Sequence, residues 1–123
     1  MYKRQEITDD LKNALVAKSN IFVMPSIIHK TSVEGFGIAY VEAAQYGIPS
    51  IASNVGGTPE AVLHNKTGLI INNFNELDES IKNLVENKQN RIELGQNAKN
   101  RAENELIWEK QVVKYNKLID DIQ

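Results

Sequence analysis

The stretch Ile21-Phe22-Val23-Met24-Pro25-Ser26 decides how this chain folds. Its four apolar residues show no alternation and stop at a proline. A short uninterrupted apolar run of this kind reads as a strand buried on both faces, the pattern of a parallel sheet. Upstream, Thr8 caps a helix running to about Lys18, with Asp9 and Asp10 at its positive end and Leu11, Ala14 and Leu15 on one face. Downstream, a polar loop from His29 through Gly37 leads into a helix over Ile38–Tyr46, closed by Gly47 at the position favoured for glycine. Ile48–Ala52 is a second strand and Gly68–Ile71 a third. Between them, Gly56-Gly57-Thr58-Pro59 is a tight loop, and Pro59 suits the first turn of a short helix.

The remainder is helical. Leu77, Ile81, Leu84 and Val85 mark one helix, with Asn75 as its cap, and Leu94, Ala98 and Ala102 mark another. Trp108, Val112, Tyr115, Ile119 and Ile122 form a single apolar stripe on a third. Strands alternating with helices give an α/β fold: a partial Rossmann-like parallel sheet of three strands, flanking helices and a helical C-terminal region. Sheets of this type usually have about six strands built as two halves. Residues 1–123 therefore read as a single, incomplete domain, and the strand at Ile21–Met24 lacks a neighbour on one side.

Composition narrows the function classes. The 123 residues carry a formal net charge of −2, too little positive charge for a nucleic-acid face. There is no cysteine, which excludes disulfides and thiolate metal sites. No apolar run approaches the roughly 20 residues of a membrane span, and the polar start MYKRQEITDD is unlike a secretory signal. The expected location is cytoplasmic. In that setting Asn65-Lys66-Thr67 reads as a chance match to a glycosylation acceptor. His29 and His64 lack metal-ligand spacing and read as surface residues.

The chemistry is concentrated between residues 34 and 60. Glu34-Gly35-Phe36-Gly37 sits between the first strand and the helix that begins at Ile38, at the carboxyl end of the sheet where ligands of open α/β folds bind. Gly35 and Gly37 allow close backbone approach, and the free N–H groups from Gly37 to Ala39 suit a diphosphate. Glu42 lies about one turn further, roughly 6 Å along the axis at 1.5 Å per residue, within reach of a ribose joined to that diphosphate. A carboxylate and two neighbouring hydroxyls are complementary. Each residue also has a plainer reading. Glu42 suits the helix dipole, Glu34 is an acceptable loop carboxylate, and Gly56 and Gly57 form a turn before Glu60 in a helix's first turn.

Taken together, these residues resemble the group 1 retaining glycosyltransferases of the GT-B fold. Glu34 and Glu42 enclose seven residues, as in that family's E-x7-E motif, and Glu34-Gly35-Phe36-Gly37 and Gly56-Gly57-x-Pro59-Glu60 match its flanking signatures. Pro25-Ser26 and Trp108 fit as well, so the resemblance runs from about Thr8 to Ile122, the second half of a C-terminal donor-binding domain. It implies that Glu34 acts at the donor sugar near the reacting carbon and is the catalytic candidate. Gly35, Phe36, Gly37 and Ile38 would form the donor loop, the amides of Gly37 and Ile38 meeting diphosphate and sugar. Glu42 would bind the ribose, and Gly56, Gly57 and Glu60 form a candidate ligand loop. The substrate it implies is a nucleotide-diphosphate sugar, with no separate cofactor, whose hexosyl unit passes to a hydroxyl acceptor.

The family also carries an upstream arginine and lysine that neutralise the diphosphate, and an acceptor domain; neither lies in these 123 residues. His29 and Lys30 are the only basic residues that the sequence places near the motif. The isolated chain is therefore expected to be inactive and to self-associate or take a partner chain for the missing half, with part of the Trp108–Ile122 stripe exposed. The alternatives are a non-catalytic remnant or association module, and a GT-B sugar-nucleotide epimerase. Trp108, on the stripe, reads as a core or interface residue rather than a sugar-stacking platform.

Overall fold

The computed structural model describes residues 6–28 and 35–122. The elements follow the expected order: α1 (Asp9–Lys18), β1 (Phe22–Met24), α2 (Ile38–Gln45), β2 (Ser50–Ser53), α3 (Thr58–Ala61) and β3 (Gly68–Ile71) come first. A 3-10 turn over Phe74–Glu76 then leads into α4 (Leu77–Glu86), α5 (Lys88–Asn104) and α6 (Trp108–Ile122). The sheet is parallel in the order β1-β2-β3, with Phe22 opposite Ser50 and Ser50 opposite Gly68.

The strand buried on both faces is β2, not β1. All four β2 residues are buried, whereas Val23 at the middle of β1 is 39% exposed. The reason is position: β2 has a strand on either side, and among the described residues β1 has one only. β2 also begins later than its apolar sequence implied. Ile48 and Pro49 precede the strand, although the Pro49 carbonyl already accepts from Phe22 N at 3.0 Å.

Alternation along β2 divides the core. Ile51 faces Leu84 of α4 and Leu94 of α5, together with Leu69 and Ile71. Ala52 faces the opposite layer, with Tyr40 of α2 and Ala61 and Val62. α2 and α5 touch through small residues, Ala44 against Ala98 and Ala102. Their approach is close enough that a Cβ on Gly95 would stand 2.1 Å from the Gly47 carbonyl oxygen.

Local signals held at most helix ends. The Thr8 hydroxyl accepts from Leu11 N at 3.3 Å, Gly47 has φ +72°, and Pro59 lies in the first turn of α3. The cap before α4 differs from expectation. Asn73, not Asn75, accepts from a backbone amide, that of Asn75 itself at 3.0 Å. The Glu76 carboxylate completes this turn by accepting from Asn72 N and Asn73 Nδ2. The chain thus enters a 3-10 turn before the α-helix, which moves the cap two residues upstream.

Three apolar surfaces lack a partner among the described residues. Leu11 and Leu15 of α1 are exposed, as is Val85 of α4. α6 buries no residue at all, and Trp108 is 73% exposed, so it is no core residue in this chain. Partial exposure of that stripe was expected; the structure extends it to Trp108, Tyr115, Ile119 and Ile122. None of the described helices is long and apolar enough to cross a membrane.

Candidate functional site

The loop before α2 is built around Gly37 and Tyr40. Gly37 has φ +78°, a left-handed conformation that favours glycine. A Cβ there would also meet the Tyr40 ring at 2.5 Å. Tyr40 is 1% exposed, donates its hydroxyl proton to the Met24 carbonyl, and meets Phe22 edge-on with centroids 5.9 Å apart. The first turn of α2 is thereby fixed to the end of β1. No side chain caps this helix at Gly37, and Ile38 is exposed. A helix start of this kind presents amides and a positive dipole end to an anion.

The structure joins the two motif loops. Gly57 N donates to the Gly35 carbonyl at 3.0 Å, and a Cβ on Gly57 would stand 2.7 Å from that oxygen. The Gly56-Gly57 loop is itself held by Thr58, whose buried hydroxyl donates to the Ser53 carbonyl and lies 2.8 Å from that of Val55. Gly56 has φ +54°. Glu60 is exposed on α3, and its backbone carbonyl accepts from Arg101 Nη2 at 2.6 Å. Arg101 Nη1 reaches the Ala61 carbonyl at 2.9 Å. One guanidinium from α5 therefore satisfies the carboxyl end of α3, a contact across forty residues that no sequence signal announced. Phe36, Ile38 and Glu60 share a groove of about 520 Å³ with Val41, Leu106, Trp108, Gln111 and Tyr115. A groove of about 580 Å³ near His64, Lys66 and Glu76 contains none of the candidate residues. His64 is exposed, as expected, but its Nδ1 accepts from Ile70 N at 2.9 Å and so serves the edge of β3.

Glu42, in the second turn of α2, is not among the residues lining the Phe36 groove. Its Oε1 accepts from Lys12 Nζ at 3.2 Å, and both side chains are about two-fifths exposed. Lys12 also lies 3.5 Å from Asp9 Oδ1. The hydrogen bond and charge of Glu42 hold the Lys12 ammonium above the ordinary lysine range. This corrects the expectation that only His29 and Lys30 bring positive charge near the motif: α1 supplies Lys12 from thirty residues upstream. Glu34, His29 and Lys30 lie outside the described residues. Among the described residues no group of three or more His, Asp or Glu side chains is placed to hold a metal ion.

Residues 1–101 match the family described as glycosyl transferases group 1. The chain belongs to this family. It is 36% identical over 92 residues to a GDP-mannose-dependent alpha-(1-6)-phosphatidylinositol monomannoside mannosyltransferase of Mycobacterium tuberculosis, covering 72% of this chain and 24% of that protein. Among solved structures it resembles sucrose-phosphate synthase from Thermosynechococcus elongatus, with a TM-score of 0.78 and 27% identity over 95% of this chain and 29% of that one. It also resembles Anabaena HepE in complex with UDP-glucose, with a TM-score of 0.68 and 28% identity over 88% of this chain and 28% of that one. The three parallel strands and flanking helices are thus a portion of the GT-B architecture, and the chain spans 24–29% of the length of these proteins.

Proposed function

We propose that this chain contributes the nucleotide-sugar-binding part of a retaining glycosyltransferase that moves a hexosyl unit to a hydroxyl acceptor. The observation that carries the reading is the bond from Gly57 N to the Gly35 carbonyl. It closes the two motif loops into one platform at the start of α2, on the carboxyl edge of the sheet, where α/β folds bind their ligands. On this reading the amides of Gly37 and Ile38 hold the diphosphate, Glu42 takes the ribose, and Glu34 acts at the donor sugar. Gly35 and Phe36 complete the donor loop, and Gly56, Gly57 and Glu60 flank it. HepE, a related structure, holds UDP-glucose. The donor is itself the substrate, and no metal is invoked because backbone amides and cationic side chains meet the phosphates.

By themselves the 123 residues form an incomplete domain and turn over no nucleotide sugar. Stabilising a departing diphosphate is largely electrostatic, and the described residues near the site supply one ammonium, already paired with Glu42. Binding of nucleoside diphosphate survives at about 1 mM, or ~4 kcal/mol. Titration with UDP, GDP and ADP tests this. Glu42→Ala is expected to weaken the best binder by roughly 1–3 kcal/mol, the scale of hydrogen bonds to a charged group. Equal binding by parent and variant removes Glu42 from the ribose site.

The second reading, an association module, draws on the exposed apolar stripe of α6 and the edge of β1 that no described strand covers. Both surfaces invite pairing, with a second copy or with a chain that completes the sheet. Sedimentation over a concentration series is expected to show self-association. A strictly monomeric species with a cooperative melt would contradict it.

A further inference from the structure

Glu42 has a fixed partner on one side and, among the described residues, none on the other. Its Oε1 is held by Lys12 Nζ at 3.2 Å, while no described group donates to Oε2. Lys12 is itself held from its far side by Asp9 at 3.5 Å. The chain Asp9–Lys12–Glu42 therefore links the first turns of α1 to the second turn of α2. As a stabilising device it achieves little, since half-exposed ion pairs contribute almost nothing measurable to folding. It does restrict a flexible carboxylate. An unrestrained glutamate loses rotamer freedom when it takes up a ligand, and restraining it in advance removes that cost.

We propose that Lys12 is a positioning residue for the nucleoside ribose: by occupying Oε1 it holds Glu42 so that Oε2 meets the 2′,3′-diol. The inference rests on the reading of Glu42 as the ribose carboxylate and adds to it the residue that orients that carboxylate. Lys12 touches no substrate. It acts through Glu42, so its removal affects recognition of the sugar hydroxyls and leaves the diphosphate contacts at Gly37 and Ile38 intact. Arginine, with the same charge and comparable reach, keeps the function in part.

The test uses whichever of UDP, GDP and ADP the chain binds best, together with its 2′-deoxy counterpart. Affinities of both are measured for the parent chain, Lys12→Met, Lys12→Arg, Glu42→Gln and the Lys12→Met/Glu42→Gln double variant. Loss of one hydrogen bond to a charged acceptor gives the parent a preference for the ribonucleotide of about ten-fold or more. Lys12→Met is expected to reduce that preference to about three-fold or less, Lys12→Arg to restore most of it, and the double variant to match Glu42→Gln alone. Melting curves of all variants are expected to stay near the parent's, so a change in preference is not a change in folding. If Glu42→Gln abolishes the preference but Lys12→Met keeps it, the role of Lys12 is overturned while the ribose site stands. If the parent binds a nucleotide but shows no preference, the ribose role of Glu42 fails and the inference fails with it; if it binds none of the three nucleotides, the donor-site reading fails as well.

Discussion

Replacing Gly57 by alanine isolates the close approach that joins the two loops. Gly57 has φ −86°, a value alanine adopts without strain, so the backbone conformation itself costs nothing. The new Cβ, however, would stand 2.7 Å from the Gly35 oxygen, 3.1 Å from its carbonyl carbon and 3.2 Å from the Phe36 Cα. All three are backbone atoms, and no side chain can swing aside to relieve the contact. Reaching ordinary contact at 3.4 Å requires the loops to part by about 0.7 Å, the difference between 3.4 and 2.7 Å. That movement also stretches the 3.0 Å bond from Gly57 N to Gly35 O. Overpacking costs about 1–3 kcal/mol and a lost backbone hydrogen bond about 1 kcal/mol. We expect Gly57→Ala to destabilise the chain by about 2 kcal/mol, a fall in Tm of roughly 8 °C at about 4 °C per kcal/mol for a domain of this size. Thermal melts followed by circular dichroism measure it. Gly35→Ala is the control, because no described atom lies within 4 Å of its added Cβ, and it should melt close to the parent. A Gly57→Ala chain that melts with the parent, or a Gly35→Ala chain that loses as much, refutes the steric argument for the junction.

Gly95→Ala should be at least as harmful, since its Cβ would meet the Gly47 carbonyl oxygen at 2.1 Å and force α5 away from α2; urea denaturation is expected to show a loss of about 2–3 kcal/mol. The Lys12 ammonium, held above 10.5 by Glu42, should return toward its ordinary range in Glu42→Gln, as read by NMR titration of its Nζ or Cε resonance. The sign follows: the pair's contribution is fully present below 10.5 and fades as pH rises through the raised value, so on its account melts near neutral pH should not vary with pH.

What the sequence disclosed was local. Apolar runs with punctuation placed the strands, Thr8 and Pro59 placed helix starts, and Gly35, Gly37, Gly56 and Gly57 marked the loops that the fold brings into contact. What it concealed depends on distant neighbours. Val23 sits in a run that reads as doubly buried, but exposure follows from having one paired strand rather than two. Lys12 and Glu42 are thirty residues apart, and Arg101 reaches the carbonyls of Glu60 and Ala61 from forty residues away. Neither pairing has a periodicity or motif to betray it. Capping by Asn73, at the 3-10 turn that precedes α4, is a local competition that the sequence leaves open, because Asn73 and Asn75 have the same capping chemistry. Gly95 looks like a weak point in a helical run, and only the approach of Gly47 explains why a larger residue would not fit.

The central claim is that the platform at the start of α2 receives the nucleotide donor, and amide chemical-shift mapping tests it most directly. An isotope-labelled chain is titrated with UDP, GDP and ADP while every backbone amide is followed. The account predicts that the largest concentration-dependent shifts fall on Gly37, Ile38 and Ala39, with Gly35 and Gly57 responding beside them, and that Glu42→Ala shrinks the response. Shifts centred instead on the groove around His64, Lys66 and Glu76, or no saturable shifts with any of the three nucleotides, would contradict it.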